Sequence, residues 1–102
     1  MALANVAVGN TDTDIYTSSG ETCVVTMYFC NYSVSTVTLS IHAVENGGSV
    51  ADGSLIAKDI TITEADTYVL STDRLVLANG DKISAIASAG SSVTATVSYA
   101  GV

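Results

Sequence analysis

The amino-acid sequence predicts an all-β protein, an antiparallel β-sandwich of the jelly-roll type with about eight short strands. Three observations predict it. Apolar and polar residues alternate with a period of two, which is typical of half-buried strands. Turn signals rich in glycine, asparagine and serine separate the alternating stretches. No stretch carries the apolar spacing of an amphipathic helix, so we expect short strands packed in two sheets.

The composition favours one folded domain. The chain has 102 residues, and we expect residues 1–102 to form a single β-sandwich domain. Hydrophobic residues make up 48% of the chain and charged residues only 13%, the opposite of the balance found in disordered chains. Serine and threonine occupy 26 positions, which favours strands because threonine fits a pleated surface and serine competes with helical hydrogen bonds.

The charge of the chain excludes two classes of partner. The formal net charge is −7, so the long-range field repels nucleic-acid phosphates and anionic membranes. We therefore expect no nucleic-acid partner and no membrane partner. No apolar run approaches the ~18 residues of a membrane-crossing helix, and the first ten residues lack the positive charge of a secretory signal. These features predict a soluble protein made in a cytoplasm.

The clearest strand lies at residues 92–99, where apolar residues alternate with serine and threonine. A second strand lies at residues 36–43, with Leu39 and Ile41 facing inwards and His42 facing outwards. The other strands are expected at residues 14–17, 21–31, 55–63, 67–71, 74–77 and 82–88.

Asn79 and Gly80 form the strongest turn signal. Asn-Gly supplies the positive φ angles of a tight hairpin, so this turn is expected to pair strand 74–77 with strand 82–88.

The longest predicted strand, residues 21–31, has two unequal faces. Simple alternation gives one apolar face, made of Cys23, Val25, Met27 and Phe29. The other face is only half polar and carries Thr22, Val24, Thr26, Tyr28 and Cys30. We expect another subunit to cover this second face. The candidate interface residues are Val24, Tyr28, Cys30 and Tyr32.

Cys23 and Cys30 are the only cysteines. In one extended strand they lie roughly 23 Å apart, and their odd spacing points them to opposite faces, so no internal disulfide is expected. We expect two buried apolar thiols in a reducing compartment.

One acidic stretch has the spacing of a calcium loop. Asn10, Asp12, Asp14 and Glu21 occupy positions 1, 3, 5 and 12 of an EF-hand pattern. Position 6 is Ile15 where that loop needs glycine, and no helical pattern flanks it. We therefore expect no metal and interpret these residues as solvated charges that block edge pairing, with a loop calcium site of Asp12, Asp14 and Glu21 as the alternative.

No group of residues predicts catalysis or a cofactor. The acidic pairs at 12/14 and 64/66 fall in turns, where exposed carboxylates act as surface charge. His42 lies two residues from Ser40, but nothing in the sequence supplies a nucleophile elbow, an oxyanion hole or an orienting acid. No glycine pair precedes a lysine and a helix start, as in a phosphate-binding loop. We expect neither an enzyme nor a cofactor.

Two segments carry a resemblance to a known class of proteins. The C-terminal part, RLVLANGDKISAIASAGSSVTATVSYAGV, resembles the closing strands of small all-β virion structural proteins of tailed bacteriophages, including cyanophages. The segment DIYTSSGETCVVTMYFCNYS resembles their Ile-Tyr edge strand, glycine turn and long strand ending in asparagine. A Gly-Asp turn before a strand also occurs in jelly rolls of the tumour-necrosis-factor and complement type, whose aromatic-rich core strands this sequence lacks.

The resemblance implies a non-enzymatic bacteriophage virion protein made in the host cytoplasm. The first expectation is a capsid decoration (cement) protein that stabilises the head. Its implied partners are copies of itself, as a homotrimer, and major capsid or tail proteins. Two alternatives remain open: a tail, neck, baseplate or fibre-adaptor subunit, and a carbohydrate- or receptor-binding jelly-roll module.

Overall fold

The computed structural model describes residues 2–101, apart from the side chains of residues 71–74. Within that range the chain forms eight strands and one short 3-10 turn, Asp52–Ser54. The strands are β1 (Ala2–Val8), β2 (Thr13–Thr17), β3 (Thr22–Asn31), β4 (Val37–Val44), β5 (Leu55–Ile62), β6 (Thr67–Leu77), β7 (Lys82–Ala87) and β8 (Val93–Gly101).

The strands form two antiparallel four-stranded sheets, which confirms the predicted sandwich. The first sheet has the order β1-β8-β3-β6 and the second the order β2-β7-β4-β5. The hydrogen-bonded partners are nested: β1 pairs with β8, β2 with β7, β3 with β6 and β4 with β5. This nested pairing is the double Greek key of a jelly roll.

The core lies between the two sheets and is built by alternate residues of nearly every strand. Phe29 and Met27 of β3 are its largest fully buried side chains, and they face Leu39, Ile41 and Ile83 of the second sheet. Small residues such as alanine and valine fill the space between these larger side chains. The sandwich therefore has one continuous apolar interior.

Two strand boundaries differ from the predicted ones. Residues 2–8 form β1, although none of the predicted strands covers them. Residues 67–71 and 74–77, predicted as two strands, belong to the single strand β6, whose pairing with β3 changes register part-way along. The register change explains why the alternation looks like two short strands.

The predicted hairpin at Asn79 and Gly80 is wrong. The turn exists, since Gly80 has a φ of 89° and the Asp81 N–H donates to the Ala78 carbonyl (3.0 Å). It does not pair the flanking strands, because β6 lies in the first sheet and β7 in the second. The Asp81 carboxylate holds the crossing by accepting hydrogen bonds from the backbone N–H groups of Ala78 (2.9 Å) and Asn46 (2.8 Å).

None of the helical structure in residues 2–101 has the length and apolar character that a membrane crossing requires.

Candidate functional site: an uncharged sheet face

The outer surface of the first sheet is the most distinctive surface of the molecule. Its described outward-facing side chains are uncharged, although the chain carries a net charge of −7. We call this surface the neutral face. The strand register places on it Leu3, Asn5 and Ala7 of β1, Thr94, Thr96, Ser98 and Ala100 of β8, Cys23, Val25, Thr26, Tyr28 and Cys30 of β3, and Thr67, Val69 and Val76 of β6.

A row of paired residues crosses the middle of the neutral face. Asn5, Thr96, Tyr28 and Val69 are register partners from one edge of the sheet to the other. The Thr96 hydroxyl donates to the Asn5 side-chain carbonyl at 2.8 Å, so these polar groups satisfy each other. Tyr28 and Val69 are 43% and 50% exposed. The centre of the face therefore combines apolar area with few groups that would lose hydrogen bonds on burial.

A β-bulge in β3 decides which residues reach this face. The pairing of β3 with β8 passes from Val24 opposite Tyr99 directly to Thr26 opposite Ser98, so Val25 is an extra residue in that ladder. The bulge reverses the alternation on its N-terminal side. Val24 therefore packs in the core with 0% exposure, while Val25 is 37% exposed. Regular alternation predicts the opposite face for each valine, and both predictions are wrong.

The four predicted interface residues therefore do not share one surface. Val24 is wrong as an interface residue because its side chain lies between the sheets. Tyr28 and Cys30 lie on the neutral face, exposed and half-buried respectively. Tyr32 follows the end of β3, is half exposed, and its N–H donates to the Ser92 carbonyl at 2.8 Å. Of the four predicted interface residues, only Tyr28 and Cys30 therefore lie together on the neutral face.

The bulge also changes the orientation of the cysteines. Cys23 lies before the bulge and Cys30 after it, so their odd spacing places both on the neutral face and not on opposite faces. Both thiols are free and half-buried rather than buried.

The outer surface of the second sheet is different, because charges and a loop cover it. Asp14 and Lys82 form an ion pair there at 3.1 Å. Residues 45–54, between β4 and β5, fold over the same surface and border an open depression of about 410 Å³. The two outer surfaces are therefore unequal: one is charged and covered by a loop, and the described side chains of the other are uncharged.

His42 ties the covering loop to the sheet. It was expected on an outer face, and it is there, but the loop reduces its exposure to 7%. Its Nδ1 lies 3.1 Å from the Ala51 carbonyl oxygen and 3.0 Å from the Ser54 Oγ. Because a carbonyl only accepts, the proton belongs on Nδ1, and this nitrogen donates to the loop. A nitrogen that already carries a proton cannot remove one from Ser54, so the pair has a structural role.

We expect His42→Ala to loosen the loop at residues 45–54. The change removes a buried hydrogen-bond donor and leaves a gap, so the free energy of unfolding should fall by about 1–3 kcal/mol. A protease that cuts after glutamate should then cleave faster after Glu45. His42→Asn is the matched control, because its side-chain amide also donates. Equal cleavage rates in the wild type and His42→Ala would contradict the loop-tying role.

The other candidate residues form ordinary local contacts. The Ser40 Oγ accepts from the Asp59 N–H at 3.0 Å, away from the His42 ring nitrogen that contacts Ser54. Asp66 accepts from the Thr67 N–H at 2.9 Å and thereby stabilises its own turn.

The calcium alternative is not supported by the geometry. Among the described residues, no group of three or more histidine, cysteine, aspartate or glutamate side chains is placed to hold a metal ion. Asp14 is already paired with Lys82, and the structure does not gather Asp12, Asp14 and Glu21 into one site.

Several residues of the neutral face were not singled out from the sequence. Leu3, Val69 and Val76 are exposed apolar residues of β1 and β6. Alternation alone does not reveal them, because the sequence does not show that both strands border the same sheet as β3.

A comparison of the chain with protein-family models and with curated proteins found no match.

Proposed function

We propose that the protein is a non-enzymatic structural component of a bacteriophage virion, a capsid decoration protein that packs through its neutral face against copies of itself. The observation that carries the proposal is the contrast between the described side chains of this surface, which are uncharged, and the net charge of −7. Copies of an acidic protein repel one another least where they expose no charge. Self-association through the neutral face is therefore the assembly that electrostatics favours.

Two further features support an assembly role. The jelly roll with nested strand pairs is an architecture used by viral capsid proteins as well as by lectins and cupins. The two sequence segments that resemble phage virion proteins form most of β2, β3, β7 and β8. The resemblance also supplies the expected trimer and the neighbouring capsid proteins as partners.

The size of the neutral face explains why several contacts would be needed. Four strands at ~4.8 Å spacing and ~26 Å length give roughly 500 Å², below the roughly 800 Å² that each partner contributes to a standard interface. One such contact is weak. A decoration protein that engages several neighbours at once gains affinity from their combination, without any single strong contact.

We expect Tyr28→Asp to break the contacts that the neutral face makes between copies. The variant places a carboxylate at the centre of the neutral face, where burial between copies would cost several kcal/mol. Light scattering after size exclusion should show a wild-type mass that is a multiple of 10.3 kDa and a smaller mass for the variant. Ile56→Asp is the matched control, since Ile56 is also 43% exposed but lies on β5 of the second sheet.

An unchanged mass for Tyr28→Asp would contradict the role of the neutral face. The virion role has its own test, which is mass spectrometry of purified phage particles. A decoration protein should be present at the high copy number of a shell component, and a tail or fibre subunit at low copy number. Absence from the particles would contradict both the decoration role and the tail or fibre role. Glycan binding by the purified protein would favour the lectin-like alternative.

A further inference from the structure

We infer that β1 is a second assembly site, at which two copies of this chain pair their β1 strands antiparallel and join their first sheets into one eight-stranded sheet. The inference concerns the edge of the sheet and does not depend on the virion role or on the neutral face. It rests on a comparison of the four strands that end the two sheets.

An edge strand presents unpaired backbone N–H and C=O groups at every second residue, and proteins usually protect such edges. Three of the four edges here are protected. β2 has five residues, carries Asp14 and contains a register shift. β5 carries Lys58 and Asp59, has two register shifts, and places Asp59 at a φ of 50°. β6 has a register shift part-way along its pairing with β3.

β1 has none of these protections. Its sequence, ALANVAV, contains no charge and no proline. Its seven pairs with β8 run without a register shift from Ala2 to Val8, so the strand is regular along its length. Within residues 2–101 it pairs with β8 and with no other strand. The opposite edge of β1 is therefore a regular row of backbone donors and acceptors, open to another strand.

A second copy of β1 is the partner whose chemistry fits this edge. Two copies carry a net charge of −7 each, so close approach needs a segment without charge, and β1 supplies it on both sides. Antiparallel pairing of identical strands about a two-fold axis gives both copies the same hydrogen bonds.

The pairing would also enlarge the neutral face. Joining two first sheets at β1 makes the neutral faces of both copies continuous, giving roughly 1,000 Å² of sheet surface from two faces of roughly 500 Å² each. Such a surface reaches the size at which a stable interface with a further protein becomes expected. The edge contact and the face contact are different surfaces, so they can be tested separately.

Disulfide scanning tests the pairing. Single cysteines replace Leu3, Ala4, Asn5, Val6 and Ala7 in turn, in a chain that also carries Cys23→Ser and Cys30→Ser. Directly opposite residues of antiparallel strands lie about 4.5–5.5 Å apart at Cα, which permits a disulfide. Under oxidised glutathione, we expect a linked dimer at the residue on the two-fold axis, less at its neighbours and none at the ends of the strand.

Two control variants separate the possible outcomes. Thr61→Cys lies on the protected edge strand β5 and should stay monomeric on a non-reducing gel. Val69→Cys lies on the neutral face away from β1 and reports face-to-face contact. Linkage at Val69→Cys with none in β1 would overturn the edge pairing and keep the face contact. Linkage within β1, with the mass of Tyr28→Asp unchanged, would keep the edge pairing and overturn the face contact. If none of the five β1 positions forms a disulfide-linked dimer, the inference is overturned.

Discussion

Val24→Asp is expected to unfold the protein, whereas the same change one residue later is expected to be tolerated. Val24 has 0% exposure and packs in the core, so the variant would bury an unpaired carboxylate. Such a group costs about 3–5 kcal/mol, a large part of the roughly 5–15 kcal/mol that stabilises a domain. Circular dichroism with urea titration should show an unfolded chain or a midpoint at a much lower urea concentration than in the wild type.

Val25→Asp is the control that makes this experiment specific to the bulge. Val25 is 37% exposed on the neutral face, so its carboxylate stays in water and the free energy of unfolding should change by about 1 kcal/mol or less. Regular alternation predicts the reverse order, with Val25 in the core. If Val25→Asp lowers the free energy of unfolding more than Val24→Asp does, the bulge is misplaced.

Asn31→Asp is expected to have a similarly large effect, although it changes a single side-chain group. Asn31 is fully buried, and its Nδ2 lies near three carbonyl oxygens, those of Ser35 (2.8 Å), Ile62 (3.0 Å) and Thr63 (3.3 Å). Its Oδ1 accepts from the backbone N–H (3.0 Å) and hydroxyl (2.7 Å) of Ser33. One amide thus joins the end of β3 to the end of β5.

An aspartate at this position keeps the acceptor and loses the donor. A carboxylate oxygen would then face three carbonyl oxygens without a proton between them, at a cost of about 3–5 kcal/mol. Thermal unfolding followed by circular dichroism measures the loss. Asn79→Asp is the matched control, because the Asn79 Oδ1 acts as an acceptor for the Gly20 N–H (2.9 Å) and an aspartate preserves that role. Equal losses for the two variants would contradict the assignment of Asn31 as the essential donor.

The sequence predicts the fold class and most strands because alternation and turn residues are local signals. The inward positions of Leu39 and Ile41, and of Val93, Ala95 and Val97, follow directly from it. The same signal fails where the chain departs from regular pairing. The bulge at Val25 exchanges the inward and outward positions of the residues before it, and no feature of the local sequence predicts this.

The remaining differences depend on which strands become neighbours. Asn79 and Gly80 have the chemistry of a hairpin turn. The strands on either side of them do not pair, because β6 pairs with β3 in the first sheet and β7 lies between β2 and β4 in the second. His42 looks exposed in its strand because the loop residues that bury it, Ala51 and Ser54, lie nine and twelve residues further along the chain. Only part of the neutral face could be predicted from the sequence. Tyr28 and Cys30 were predicted as interface residues and lie on it, whereas the strands beside β3 are known only from the topology.

The placement of both cysteines on one side has a practical consequence. A maleimide-coated or gold support reacts with thiols, and here both Cys23 and Cys30 lie on the same surface. Whichever thiol reacts, the molecule is anchored the same way up, with the loop-covered side turned towards the solution. A single layer of the protein would thus have a defined orientation without any added tag.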